Sequence, residues 1–227
     1  MDTGGFPPVI ADLPTLNFEP RTWREWATAD PETGTVTTLN GNPLALTGSD
    51  FILAVLQAAE TLGDQGPGGW LYEVGVGWGQ RHCLELERVI QADRGHPVEV
   101  SAMALPIFIS TLNQSLGELG WGKVEVVEEE GHAFAIVQSS PVAAAVKQAH
   151  HPICHLYAGF LAGVFGQAAQ IDLACIEIGC QASGLDQCRF FIGSQIKIDL
   201  VASWLKTGKT MTEIRRHLSE QLGVTAQ

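Results

Sequence analysis

Four of the five cysteines of this chain are Cys154, Cys175, Cys180 and Cys188, and Glu177 stands among them. Glu177 and Cys180 follow Cys154 by 23 and 26 residues. Three thiolates from Cys154, Cys180 and Cys188 with the Glu177 carboxylate make a four-ligand set suited to zinc. Thiolate-rich tetrahedral sites of that kind are closed and structural more often than open and catalytic. Reduced cysteines are also small apolar core residues, so spacing alone leaves two readings open, metal ligands or buried hydrophobes. Register leaves another alternative, because Cys175 shares the ideal strand face with Glu177 and competes with Cys180 or Glu177 as a ligand. His150, His151 and His155 surround Cys154 and add imidazole donors.

The elements that must position these groups follow from local pattern. Pro152 to about Gln170 predicts an apolar helix with Cys154 in its first turn. Ala158, Gly159, Ala162 and Gly163 along it let another element approach closely. Residues 171–181 and 188–193 predict two strands joined around Ser183-Gly184-Leu185-Asp186, a hairpin that brings Cys180 to Cys188. Glu177 and Cys180 are three apart, and ideal alternation puts them on opposite faces. A shared ion therefore requires a bulge, or a strand end near Gly179.

Elsewhere, Ser49 and Asp50 cap a helix through Phe51, Ile52, Val55, Leu56 and Ala59 to Gly63. Helices are also predicted over 71–92, over 106–119 with a stop at Gly120, and over 195–206 and 209–221. Strands 123–129 and 133–139 form a hairpin around Glu130-Gly131. Strands and helices come in blocks, which predicts an α+β fold with an antiparallel sheet covered by helices. Residues 1–45, with Pro7, Pro8, Pro14, Pro20 and Pro31, are expected as an extended arm. Residues 46–222 then make one domain with the zinc-binding module at 150–195. Gly75-Val76-Gly77-Trp78-Gly79-Gln80 resembles a dinucleotide-binding turn, but Gln80 stands where the third glycine belongs. Close helix packing is the expected use of these glycines.

The 227 residues carry a formal charge of −12, which repels phosphate backbones and excludes nucleic acid as an expected partner. The first residues lack the basic and apolar stretches of a secretory signal, and no apolar run approaches the ~18 residues of a membrane span. A cytoplasmic location with reduced thiols is expected.

Cys154-His155-Leu156-Tyr157-Ala158-Gly159-Phe160-Leu161-Ala162-Gly163, Glu177-Ile178-Gly179-Cys180 and Gly184-Leu185-Asp186-Gln187-Cys188-Arg189-Phe190 together resemble the 4-vinyl-reductase-type domain family. Weaker similarity reaches back through Leu119-Gly120-Trp121-Gly122 to Tyr72 and Gly75. The family also supplies the sensory part of aromatic-responsive transcription activators. The resemblance implies a dimeric α+β ligand-binding fold of the 4-vinyl-reductase, NO-signalling and Golgi-transport type. It also implies zinc on Cys154, Glu177, Cys180 and Cys188, beside an apolar pocket for an aromatic or tetrapyrrole-like molecule.

Candidate pocket residues are Trp78, Trp121, Val137, His155 and Tyr157, with Trp70 a further aromatic candidate. Val137 stands where phenol sensors of the family carry a tryptophan, which argues against phenol as the ligand. The family's association with pigment biosynthesis implies a non-catalytic role in pigment handling or photosystem assembly. Photosystem assembly proteins would be the partners, with peripheral attachment to a photosynthetic membrane. Two other functions compete. A tetrapyrrole vinyl reductase would need an electron donor, and the sequence has neither a dinucleotide fingerprint nor an iron–sulfur cysteine pattern. A ligand-free adaptor would bind proteins through the proline-rich arm and acidic surface.

Overall fold

A computed structural model describes residues 27–225 apart from 39–40, 42, 46, 62–68 and 147. The first part of the expected arm, residues 1–26, lies outside the described residues. Within residues 27–44, β1 (Ala27–Asp30), β2 (Thr35–Thr38) and β3 (Pro43–Leu44) pair antiparallel as a small meander, where the sequence predicts only extended chain. Gly34, at φ +68, supplies the left-handed turn that closes its first hairpin.

The main sheet contains β4 (Lys123–Glu129), β5 (His132–Gln138), β6 (Ala174–Gly179) and β7 (Cys188–Gly193) in the order β4-β5-β7-β6, antiparallel throughout. Glu130 and Gly131 both have positive φ, 52° and 72°, the conformation that closes a two-residue hairpin without splaying its strands. The edges of the sheet are met by side chains. The Asn113 amide both donates to the Val124 carbonyl and accepts from its N–H, and the Tyr72 hydroxyl accepts from the Cys175 N–H.

Helices cover both faces. The expected helices appear as α1 (Ser49–Thr61), α2 (Trp70–Arg94), α3 (Leu105–Glu118), α5 (His155–Ala169), α6 (Gln195–Lys206) and α7 (Met211–Thr225). A short α4 (Pro141–Ala145) lies in the stretch after β5, where the sequence predicts only a polar connection. Its N-cap Ser140 accepts a hydrogen bond from the Ala143 N–H, and Pro141 follows at the start of the helix, where its missing N–H costs nothing. On one sheet face, Phe134, Ala174, Ile176, Ile178 and Phe191 pack with Ile198, Val201, Ile214 and Leu218 of α6 and α7. On the other, Ala135, Val137, Cys175 and Phe190 pack with α2, α3 and α5.

Helices α2 and α5 pack backbone against backbone. A Cβ added at Gly75 would collide with the Leu156 carbonyl oxygen, and one at Gly79 with that of Phe160. Seen from α5, a Cβ at Gly159 would strike the Tyr72 carbonyl oxygen, and one at Gly163 that of Val76. Two glycines four residues apart on each helix therefore face each other, and the order of the contacts shows that the helices run in the same direction. This is the close approach that the small residues predict, and it removes Gly75–Gln80 from any nucleotide-binding turn. Such helices forfeit up to ~1 kcal/mol of helix propensity per glycine and regain it as backbone-to-backbone packing.

Gly159→Ala should therefore destabilise the fold by ~1–3 kcal/mol, the usual cost of overpacking. Gly117→Ala on the exposed side of α3, where an added Cβ meets nothing within 4 Å, should be neutral or stabilise by ~0.5 kcal/mol. Urea unfolding midpoints of the two variants make the comparison.

Candidate metal centre

The strand β6 alternates cleanly from Ala174 to Ile178: Ala174, Ile176 and Ile178 enter the core under α6 and α7, while Cys175 and Glu177 point to the α5 side. Glu177 pairs with Phe190, yet Gly179 pairs with Arg189, so the ladder slips at this point. That bulge returns Cys180 to the face of Glu177 and resolves their three-residue spacing. A side chain at Gly179 would press on Leu185 and Met211, so glycine fits there. Across the turn, Cys188 opens β7 opposite Val137 of β5. The third thiol comes from Cys154, which is the N-cap of α5; the helix begins at His155, slightly later than predicted.

The four donors are buried, and their ligand atoms all lie within 4.8 Å of one another. Cys154 Sγ is 3.9 Å from both Cys180 Sγ and Cys188 Sγ. A tetrahedral ion with bonds of about 2.3 Å to sulfur separates its sulfurs by about 3.8 Å. The thiols are thus spaced as ligands, and all are free of disulfides. Glu177 Oε2 accepts from the N–H groups of Ile153 and Cys154 at 2.9 and 2.8 Å. Glu177 Oε1 is fully buried and has no hydrogen-bond partner among the described residues. Unpaired buried polar atoms are costly, and a carboxylate oxygen left open beside three thiols is suited to a cation.

Electrostatics agree with that reading. Burial, and then Cys180, push the Glu177 carboxyl well above the usual carboxylate range. Hydrogen bonds with Cys180 and then Cys188 raise the Cys154 thiol, while those from Cys154 and Cys188 hold Cys180 far below the ordinary thiol range. Without a cation the four groups share protons; a divalent ion would displace them and leave a net −2 of the −4 they carry when ionised. The N-terminus of α5 at Cys154 and the Gln181 N–H, 3.4 Å from Cys188 Sγ, supply further positive dipole.

Outside the cluster, Ser140 Oγ lies 3.9 Å from Cys154 Sγ, and the Ser140 N–H donates to Gln181 Oε1. Gln181 Nε2 donates in turn to the Asp186 carbonyl, which ties the start of α4 to the metal hairpin. Sequence reasoning missed Ser140 and Gln181, although the position of Gln181 directly after Cys180 is a signal that could have found it. Cys175 is buried in the core and is not among the four clustered donors. His150 and His151 are exposed, and His155 begins α5 outside the cluster.

The other candidate residues largely converge. Trp78 packs tilted against Phe160 with ring centroids 4.1 Å apart and against Trp121 at 4.6 Å, and Tyr157 lies 5.8 Å from Phe160 and stacks on Phe190 at 6.0 Å. The Tyr157 hydroxyl donates to the Trp121 carbonyl. Val137 is fully buried in the same core, whereas Trp70 stands 41% exposed at the start of α2. His82 and Phe160, which sequence reasoning did not single out, complete the aromatic group, with ring centroids 5.5 Å apart. Separately, a cleft of ≈ 450 Å³ lies between α3 and β4, lined by Leu105, Pro106, Ile109, Asn113 and Val126 among others.

The family model for the 4-vinyl-reductase domain matches residues 134–194, a span that contains all four clustered donors. No curated protein matches the sequence. Among solved structures, the phenol-responsive sensory domain of the transcription activator PoxR, crystallised with phenol, shares this fold. The likeness covers 75% of this chain and 85% of that chain at 16% identity, with a TM-score of 0.56. A vinyl-4-reductase family protein from Methanocaldococcus jannaschii is similar over 63% of this chain and 76% of its own, at 17% identity and a TM-score of 0.41. A trafficking protein particle complex subunit 3 from Naegleria fowleri, covalently bound to palmitic acid, is similar over 63% and 93%, at 13% identity and a TM-score of 0.43.

The aromatic group also carries a pH dependence. Burial lowers the His82 pKa from 6.5 to about 4, so between those values the unfolded chain takes up a proton that the folded chain does not. Stability contributed by neutral His82 is intact above pH 6.5 and is lost as pH falls towards 4, by up to ~3 kcal/mol. Urea titrations at pH 7 and 4.5 should show wild type losing more stability than His82→Phe.

Proposed function

We propose that the 4-vinyl-reductase-type domain carried by residues 134–194 is a non-catalytic binding module. In this reading a zinc ion on Cys154, Glu177, Cys180 and Cys188 fixes a scaffold that holds a hydrophobic ring compound. The observation that carries it is the buried cluster of three thiols and a carboxylate whose Oε1 has no hydrogen-bond partner among the described residues. Soft sulfur donors select zinc over magnesium or calcium, which prefer all-oxygen shells. Four protein ligands fill a tetrahedral ion, which gives the metal a structural role.

The ring ligand is supported by the aromatic group of Trp78, Trp121, Tyr157 and Phe160, of which Tyr157 and Phe160 lie one to two turns along α5 from Cys154. The PoxR domain, similar in fold, was crystallised with phenol; aliphatic Val137 favours a different ring here. A tetrapyrrole, with pigment handling or photosystem assembly as the process, is the narrower reading that the family resemblance carries. Trp70, Val74 and Leu84 leave an exposed apolar stripe on one side of α2, which supports a homodimer. No helix among the described residues is long and apolar enough to cross a membrane.

Native mass spectrometry of protein purified without chelator should find one zinc per chain. Cys188→Ser should lower that occupancy and increase proteolysis between residues 175 and 190, while Cys83→Ser should change neither. Equal behaviour of the two variants would contradict the assignment. A retained tetrapyrrole would add its mass and an intense Soret absorption; a smaller aromatic adduct would keep the module and exclude the pigment.

A further inference from the structure

Asn113 of α3 grips β4 at one point: its side chain donates to the Val124 carbonyl at 2.8 Å and accepts from the Val124 N–H at 2.6 Å. Both backbone groups of Val124 therefore turn away from β5 and out of the edge of the main sheet. Alternation along an antiparallel strand turns those of Val126 and Glu128 the same way. Neither residue has a partner for its outward N–H or carbonyl among the described residues. Beside Val126 the ≈ 450 Å³ cleft between α3 and β4 opens, with Leu105, Pro106 and Ile109 on its α3 wall. Val124 and Val126 pack on that side of the sheet and Val127 on the other, so Glu125 also projects from the other face. Glu125 and Glu128 are exposed and have no ion-pair partner among the described residues, and Lys123, at the gripped end, is the only basic residue of the strand.

We infer that the open part of the β4 edge accepts an extended segment of a partner protein as a further strand of the main sheet, with apolar side chains on its α3 side and Lys or Arg on the other. Val126 and Glu128 offer the N–H and carbonyl groups by which strand addition holds a peptide. A strand laid there places every second side chain over the cleft, where Leu105, Pro106 and Ile109 give apolar groups a surface to cover. The intervening side chains emerge beside Glu125, and opposite charges on neighbouring strands attract. Charged edges resist indiscriminate pairing, so the acidic residues restrict the edge to strands of opposite charge. A second copy of β4 fits poorly. The symmetric register centred on Val126 needs the Val124 groups that Asn113 already holds, and the one centred on Val127 sets Glu125 opposite Glu129 of the other copy.

Two labelled peptides of about eight residues, one alternating valine with lysine and the other valine with glutamate, serve as probes for fluorescence anisotropy on the whole chain. The lysine peptide should bind at least about 10-fold more tightly than the glutamate peptide. Methylating the backbone nitrogens of one alternate set of its residues should cost at least about 10-fold, and methylating the other set less than about twofold, because only one set pairs with the edge. Val126→Pro removes an outward N–H without breaking the β4–β5 ladder and should weaken the lysine peptide by about 10-fold or more. Glu125→Lys, at an exposed position, should weaken it by about fivefold and covers the case in which the proline variant folds poorly. Equal cost for the two methylated sets, or binding unchanged in both variants, would reveal mere adsorption of a cationic peptide to an acidic chain and overturn the inference. No binding of the lysine peptide at millimolar concentration would overturn it as well. So would sedimentation of wild type as a dimer that Val126→Pro dissociates, since a second copy would then occupy the edge.

Discussion

A carboxylate cannot stand buried beside three thiols without a compensating charge, and the structure is organised around that requirement. Glu177 is 1% exposed, and two backbone amides satisfy one of its oxygens. The other oxygen faces the sulfurs of Cys154, Cys180 and Cys188. Leaving such a group ionised and unpaired costs several kcal/mol, so without a cation burial drives it towards the protonated form. A divalent cation would satisfy all four donors at once. The bulge, the cap position of Cys154 and the Ser140–Gln181 clamp together bring those donors within 4.8 Å of one another.

The same helix serves both halves of the proposed module. Cys154 caps α5, and Tyr157 and Phe160 enter the aromatic group one and two turns further along. Gly159 and Gly163 lock that segment against α2, which carries Trp78 and His82 into the same group. A shift of α5 at its metal end is therefore transmitted to the rings through a packed helix pair that has little room to slide. In the proposed module an ion held at this site would act on ligand binding through position.

Much of this was legible in the sequence because the signals were short-range. Alternation and turn residues located the two hairpins of the main sheet, and the conflict between the three-residue Glu177–Cys180 spacing and strand period 2 required the bulge that the structure contains at Gly179. Small residues at Gly75, Gly79, Gly159 and Gly163 pointed to close helix packing, although only the fold shows that these positions face one another. The choice between Cys175 and Cys180 stayed open because it depends on where the ladder slips, a tertiary property. The meander in residues 27–44 and helix α4 escaped because strands of two to four residues and a helix of five have too few positions to show a period. His82 was hidden for a related reason: a histidine in an amphipathic helix reads the same whether its ring faces water or aromatic neighbours.

X-ray absorption at the zinc edge of the purified protein tests the central claim most directly, because it reads the ligands around the ion and not merely its presence. The account predicts a shell of three sulfurs at about 2.3 Å and one oxygen at about 2.0 Å, without coordinated imidazole. A four-sulfur shell would bring Cys175 into the site in place of Glu177. A shell dominated by nitrogen would move the metal to the histidines, and either result would contradict the architecture described for this centre.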